Sequence, residues 1–353
     1  MPTENAAVSG ERRNGLRARL TFGTALATTL FFGGYGARTA FAGSCEETFS
    51  GSGIFECSDP VSGDDTPQLL SGGALSVTTT SGFGIDTASA AGTAALTLSA
   101  ISGISFEDEN ASQITGFSGI YARNVGTGGI SVTTDGTVTG SGNLGRGIFV
   151  YNYGDPGSSV TVSAADVNGD LEGIRARNVS GGALTITATG TVAGTGDYAR
   201  GITASNRNGD VMIDAVDVTG TSGSAALEVS IVGTGAITID AANVSGFGGG
   251  IAATQSNLSI SDTGALSITT TGQVTGEAGN GIYAKTGFVG DGDLTIEAAG
   301  VRGGRNGIYA HKRNYGALSI SATGDVEGGE SGNGIEARND QGTELTIEAA
   351  GVS

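Results

Sequence analysis

Tryptophan is absent from this sequence of 353 residues, histidine occurs once, cysteine and methionine twice each, and proline four times. One histidine and two cysteines are too few for a four-ligand zinc site of the usual kind. So little proline, without a three-residue period, excludes a collagen-like chain despite 65 glycines. Basic residues are scarce as well: 17 Lys and Arg stand against 35 Asp and Glu, a formal net charge of −18. That balance argues against nucleic-acid binding, which needs clustered positive charge. Long apolar runs are also missing. The stretch at residues 20–32 is about 13 residues, short of the ~20 a membrane-spanning helix requires. What the chain does have is glycine, about 18% against an ordinary ~7%. With 38% hydrophobic residues it can still bury a core.

The first 42 residues have the three parts of an export signal. Arg12, Arg13, Arg17 and Arg19 form a basic start, residues 20–32 are largely apolar, and Ala40-Phe41-Ala42 places small residues before Gly43. Cleavage is predicted between Ala42 and Gly43; a membrane anchor is the rival, disfavoured by length. The Arg12-Arg13 pair raises a twin-arginine route, although Glu11 and Asn14-Gly15-Leu16 fit that motif poorly. Removal of the signal leaves 12 basic and 33 acidic residues, a net of −21. Export leads to an oxidising compartment, so Cys45 and Cys57 are expected to form a disulfide in an N-terminal loop or cap over 43–72. A loop of that size stabilises by about 3 kcal/mol. Two free thiols are the alternative.

Residues 73–353 read as a repeat. One phrase is an alternating strand, seen at Ala183-Leu184-Thr185-Ile186, Ala265-Leu266-Ser267-Ile268 and Ala317-Leu318-Ser319-Ile320. A second is Gly-Ile-x-Ala, as in Gly119-Ile120-Tyr121-Ala122, Gly173-Ile174-Arg175-Ala176, Gly281-Ile282-Tyr283-Ala284 and Gly334-Ile335-Glu336-Ala337. Its nine copies recur at a mean of about 27 residues, a period that signifies stacked units. Between the two phrases lies Gly-x-Val-x-Gly, as in Gly190-Thr191-Val192-Ala193-Gly194. Three short strands per unit with period-2 alternation predict an all-β fold, a right-handed parallel β-helix of about 11 coils. No sustained helical stripe is present, and the Gly/Thr/Val return leg does not suit leucine-rich repeats. Leu, Ile and Val of the three phrases should point inward and stack about 4.8 Å apart.

Finer patterns follow the Gly-Ile-x-Ala phrase. The next slot holds Arg123, Tyr151, Arg177, Ser205, Ser230, Thr254, Lys285, His311 and Arg338 in successive coils. Cations that skip a coil lie roughly 10 Å apart, near the screening length in physiological salt, so dilution of like charge is favoured over a functional pattern. Asn124, Asn152, Asn178, Asn206 and Asn339 occupy the slot after that. A stacked turn ladder explains them; a sugar-binding row is the alternative.

Signals for chemistry are weak. His311 falls in an outward turn slot, and nothing marks a serine nucleophile for it to activate. Acids pair at Asp64-Asp65 and Asp291-Gly292-Asp293, without the recurrent cluster of carboxylates and bases that a β-helical polysaccharide enzyme would use. Gly248-Gly249-Gly250-Ile251 breaks the calcium nonapeptide pattern, leaving at most a loose Ca²⁺ contact. Gly276-Glu277-Ala278-Gly279-Asn280-Gly281 lacks the Lys-Ser/Thr of a phosphate loop. No catalytic, cofactor-binding or metal-binding residue is expected.

The export signal, the Cys45…Cys57 loop and the Gly/Thr-rich coils of Ala-Leu-Thr-Ile and Gly-Ile-Tyr-Ala together resemble the passenger of a bacterial autotransporter, the type V secretion class. The likeness covers most of residues 43–353 and rests on organisation and composition. It implies passage through the periplasm and display at the cell surface or outside the cell, in the outer membrane only if attached to a C-terminal β-barrel. The sequence runs to Gly351-Val352-Ser353, partway through a coil begun at Leu345, without barrel-type segments, so a truncated gene product or fragment is expected. The function expected is a non-enzymatic stalk or adhesin. Its partners would be a host or neighbouring-cell surface, or further copies through the faces of the helix, with no nucleic acid and no cofactor. The rivals are a secreted β-helical carbohydrate-active enzyme (lyase or hydrolase), a pure structural spacer and, remotely, an ice-binding surface of Thr ladders. Exported protein should show no alkylatable thiol until it is reduced; two free thiols by mass spectrometry would exclude the bridge.

Overall fold

A computed structural model of the chain describes residues 44–58, 66–87, 92–221, 223–256 and 264–353. The predicted signal segment, its Ala42/Gly43 junction and the Asp64-Asp65 pair lie outside the described residues. The described chain is all-β: 26 strands and no helix, wound into a parallel β-solenoid of about 11 turns. One sheet of 15 strands, sheet A, carries the first and third predicted phrases; an 11-stranded sheet B carries Gly-Ile-x-Ala. Ile120, Ile148, Ile174 and Ile202 are register partners in successive coils of sheet B. In sheet A the stack is Ile130, Val160, Leu184 and Val211. Sheet B begins at Gln68–Gly72, which pairs with Ala94–Ala100 before any Gly-Ile-x-Ala phrase appears.

The three predicted strands per coil are two from Ile130 onward. The alternating phrase and Gly-x-Val-x-Gly run on as single strands such as Ile130–Gly140 and Leu184–Gly194, bent where the register shifts. Earlier they are separate, as Ile104–Asp108 and Gln113–Gly116. The bend is a bulge in a continuous ladder, which local alternation reads as a turn. Backbones approach closely there: a Cβ on Gly136 would lie 1.8 Å from the Ser112 carbonyl.

The core is a column of aliphatic ladders. Leu266, Ile268, Val274, Ile282 and Ala284 of one coil are all fully buried, while Ser267 and Tyr283 face outward. Each buried aliphatic side chain contributes about 1.5–3 kcal/mol. The glycine of Gly-Ile-x-Ala makes this cross-section possible. A Cβ on Gly147 would sit 2.4 Å from Val167 Cγ1 and 2.7 Å from the Gly173 carbonyl. Glycine there and valine in the neighbouring leg are therefore one packing unit.

At the N-terminal end the chain turns back on itself. Ser44–Glu47 pairs antiparallel with Ile54–Ser58, and every other pairing among the described strands is parallel. Cys45 and Cys57 face each other across this hairpin and are joined by a disulfide. Glu47 closes the turn by accepting the Gly51 and Gly53 amides at 3.0 and 2.8 Å.

Two buried polar assemblies tie coils together. Asp108, fully buried, accepts hydrogen bonds from Thr79 Oγ1 (2.7 Å), Ser112 Oγ (2.6 Å) and Thr134 Oγ1 (3.0 Å), so three coils share one carboxylate. The asparagine slot is a ladder at an interior corner. Asn124 Nδ2 donates to Asn152 Oδ1, and Asn152 Nδ2 to Asn178 Oδ1, each at 3.2 Å. The same amides close their own turns, as Asn178 Nδ2 does on the Gly182 carbonyl at 2.8 Å. Replacing Asn152 by Ala removes both rungs that join Asn124 to Asn178 and takes away the acceptor of the Gly154 amide, while Asn124 and Asn178 keep their own turn bonds. Asn152→Ala should lower unfolding stability by about 1–3 kcal/mol, and outward-facing Thr161→Ala by no more than about 0.5 kcal/mol, both read by denaturant titration.

Candidate functional site

The two sheets carry opposite charge. Among the described residues, the strands of sheet A hold fifteen acids and one base, Arg302; those of sheet B hold nine bases and three acids. Sheet A presents Thr and Ser rows interrupted by exposed acids such as Asp214, Asp240 and Glu297. Asp214 and Asp240 are direct register partners, so two like charges neighbour each other.

The cations of sheet B converge on its first half. Arg146, Glu172 and Arg200 are register partners in three successive coils. Glu172 is fully buried beneath Arg146 Nε at 2.5 Å, Arg175 Nη1 at 3.3 Å and Arg200 Nη1 at 3.8 Å. Arg200 Nε also reaches Glu228 at 3.0 Å. One desolvated carboxylate thus holds three guanidinium groups, each partly open to solvent, in fixed positions. Here sign alternation from coil to coil, not only spacing, keeps like charges apart.

Aromatic rings lie between these cations. Tyr121 and Phe149, register partners, have centroids 5.2 Å apart, and Tyr151 meets Tyr153 edge-on at 4.2 Å. The guanidinium carbons of Arg146 and Arg175 stand 4.8 and 5.7 Å from the Phe149 centroid, and that of Arg177 5.3 Å from Tyr151. Such contacts contribute about 0.5–1 kcal/mol each at exposed sites. Burial, chiefly, raises the Tyr151 phenol above its usual range. Further along, Tyr283 and Tyr309 stack in parallel at 5.2 Å.

The corner beside the Arg146–Glu172–Arg200 row is strained. Leu144 and Tyr198 each precede an arginine of that row by two residues, and both take left-handed backbone conformations, φ 69° and 63°. A non-glycine residue there costs about 1–2 kcal/mol. Both side chains are nonetheless large and exposed, 57% and 72%. The fold therefore holds a leucine side chain and a tyrosine ring largely exposed, at conformational cost, along the edge of the arginine patch.

His311 and Lys312 occupy the far end of sheet B. His311 falls in register between Lys285 and Arg338 as its slot requires, but it is buried rather than solvated. Its Nε2 lies 2.8 Å from Asp340 Oδ2, a bond that holds the Asp340 carboxyl below the usual range, and Tyr309 packs edge-on against its ring. Lys312 takes the asparagine slot and is fully buried; Nζ donates to the Gly292 carbonyl at 2.8 Å and to Asn314 Oδ1. Burial pushes its pKa down to about 8, against an opposing pull from Asp293 and Asp291. Asp291 and Asp293 are exposed, and Asp293 Oδ1 accepts the Ala317 amide at 2.7 Å. Among the described residues no three His, Cys, Asp or Glu side chains are placed to share a metal ion.

Grooves run along sheet A, and a shallower one lies at the turn formed by Asn208, Asp210, Thr234 and Gly264. One of about 520 Å³ runs across Gln273, Gly300, Arg302, Asp325 and Glu327, where the glycines leave the surface open. No helix among the described residues is long and apolar enough to cross a membrane. No family model, curated protein or solved structure matches this chain.

The basic slot at Arg123, Arg177, Lys285 and Arg338 and the asparagine slot were readable from the sequence. Glu172, Arg146 and Arg200 were not, because their row joins residues 26 and 28 positions apart just outside the repeated phrase. A weak signal existed: base, acid and base alternate two places before Ile148, Ile174 and Ile202. Lys312 was missed because no other rung of its slot, most often Asn and otherwise residues such as Ala100, Ile231, Gln255 and Thr286, carries a charge.

Lys312 yields a signed pH prediction. Its folded pKa lies below the unfolded value of 10.5, so between about 8 and 10.5 the unfolded chain binds more protons. Stability of the wild type relative to Lys312→Met should therefore rise with pH across that window, by about 1–3 kcal/mol. Parallel pH–stability curves from denaturant titration would refute a neutralised buried lysine.

Proposed function

We propose that the chain is an exported, surface-displayed β-solenoid of the autotransporter-passenger kind, a stalk that makes contact through sheet B. The observation that carries this reading is the segregation of the outward side chains. Cations and rings gather on sheet B over Glu172, while sheet A presents hydroxyls and acids. A solvated spacer has no need of a buried carboxylate positioning three arginines, nor of Leu144 and Tyr198 held in left-handed backbone. Extended contact suits such a ridged face better than turnover does. The polar grooves along sheet A lie open beside the Arg302–Glu327 pair. The export pattern at residues 1–42 supplies the route, and the hairpin at 44–58 closes one end of the sheet.

In cells producing the full chain, protease added outside should cut the protein, and adhesion or cell clumping should fall several-fold with Arg123→Glu/Arg177→Glu. These two arginines are exposed and make no ion pair with Glu172, so the fold is expected to survive. Protein that stays protected inside the cell, or adhesion indifferent to the variant, overturns the reading. Activity on a polysaccharide panel that one acid substitution abolished would favour a carbohydrate-active enzyme.

A further inference from the structure

The solenoid has a basic, aromatic face and an acidic, hydroxylated face on the same rod, and both repeat at the same strand spacing. We infer that the occupant of the sheet B patch is sheet A of a second copy, giving an open lateral array of solenoids held face to opposite face. This deepens the proposed contact role of sheet B and rests on it.

Three observations point to a second copy. The first is charge complementarity. Among the described residues, Arg123 and Arg177 are exposed on sheet B and Asp214 and Asp240 on sheet A, and none of the four makes an ion pair. The second is commensurability. Outward residues of both sheets recur every coil, about 4.8 Å, so a match made at one coil is repeated at the next without strain. A partner with another repeat would lose register within a few coils. The third is offset. The arginine patch centres on Glu172–Asn178, whereas the paired acids lie on Val211–Gly220 and Ile237–Gly246, about two to three coils further on. Copies with parallel axes would pair staggered by that amount, with about eight coils overlapping. A strip seven residues wide over eight coils covers on the order of 800–900 Å², near the ~800 Å² per partner of a stable interface.

Pairing of unlike faces makes the contact heterologous: each copy uses sheet B towards one neighbour and sheet A towards the other. Such contacts do not close on themselves and grow as open arrays. Leu144 and Tyr198, standing at the corner between the two sheets, supply apolar edges that sealing of the interface would bury. Their placement in left-handed backbone is then a cost borne by the free chain and offset on assembly. The net charge of −21 left after signal removal opposes indiscriminate association, so only the matched faces attract.

The test is a charge swap on purified exported protein, followed by sedimentation velocity over a concentration series. The wild type should form a ladder of species that weakens about tenfold or more from low salt to several hundred millimolar. Arg123→Glu/Arg177→Glu alone and Asp214→Lys/Asp240→Lys alone should each be monomeric. Mixed one to one, they should associate in alternation, because the native sheet A of the first meets the native sheet B of the second and their reversed faces also match each other. Leu144→Gly/Tyr198→Gly should associate more weakly yet unfold no more easily, since glycine relieves the backbone. A monomeric wild type, association indifferent to both reversals, or a mixture that stays monomeric would overturn the array. Arginine-dependent adhesion in cells, with monomeric protein in solution, would leave sheet B a contact face for a different partner and refute this one. A wild type that pairs in vitro but stays inside the cell would instead refute surface display.

Discussion

Every residue of a parallel solenoid has its own counterpart above and below it, about 4.8 Å away. Stacking of equivalent slots is the constraint on which the rest of this molecule depends. Apolar slots satisfy it directly, since Ile on Ile and Val on Val make a continuous core. Charged slots cannot, and the chain resolves the conflict in two ways. Arg123, Tyr151 and Arg177 separate cations by an aromatic ring, and Arg146, Glu172 and Arg200 alternate in sign. Polar interior slots are stable only when the side chain both donates and accepts, which is why asparagine recurs at the corner. Lys312 has donors alone, and it is held instead by the Gly292 carbonyl and Asn314 Oδ1, with its proton loosened.

The abundance of glycine follows from the same constraint. Coils stacked at strand spacing bring one leg's backbone against the side chains of its neighbour. At Gly147 the space a Cβ would need is filled by Val167 and by the next coil's carbonyl. The composition thus records corners at which backbone meets the neighbouring leg's valine directly, around a core otherwise filled by aliphatic side chains. Extra flexibility in the unfolded chain is the cost, about 0.5–1 kcal/mol per glycine relative to alanine, against which the aliphatic ladders act.

Much of this was legible without coordinates. The 27-residue period, the inward set and the parallel stacking follow from Gly-Ile-x-Ala and the Leu-x-Ile phrases alone. Two kinds of feature were not. Continuity of the two legs of sheet A depends on a bulge near residues 134–137, whose geometry is set by the coil beneath and not by local alternation. The arginine patch depends on pairings across 26–28 residues in a slot outside the repeated phrase, so only register reveals that Glu172 lies under three guanidinium groups. Burial of His311 was hidden for a similar reason, since Asp340, its cover, lies 29 residues on.

The asparagine ladder is interrupted. Its slot passes from Asn206 to Ile231 and then to Gln255, so rungs of hydrogen bonds on the N-terminal side face an apolar rung in mid-solenoid. Among the described residues, Gln255 Nε2 donates to backbone carbonyls, those of Gly235 and Gly264 at 2.6 and 3.0 Å. A rod loaded in tension along its axis yields where consecutive rings are least cross-linked. Here the side-chain ladder lapses at Ile231, yet the backbone ladder between Ala225–Val232 and Gly249–Ser256 runs through seven register partners and the Arg200–Glu228 contact reaches into it. The shortest ladders of sheet B are the four-partner ones on either side of Ile282–Lys285, so a pull along the axis would open that sheet there first, well beyond the arginine patch.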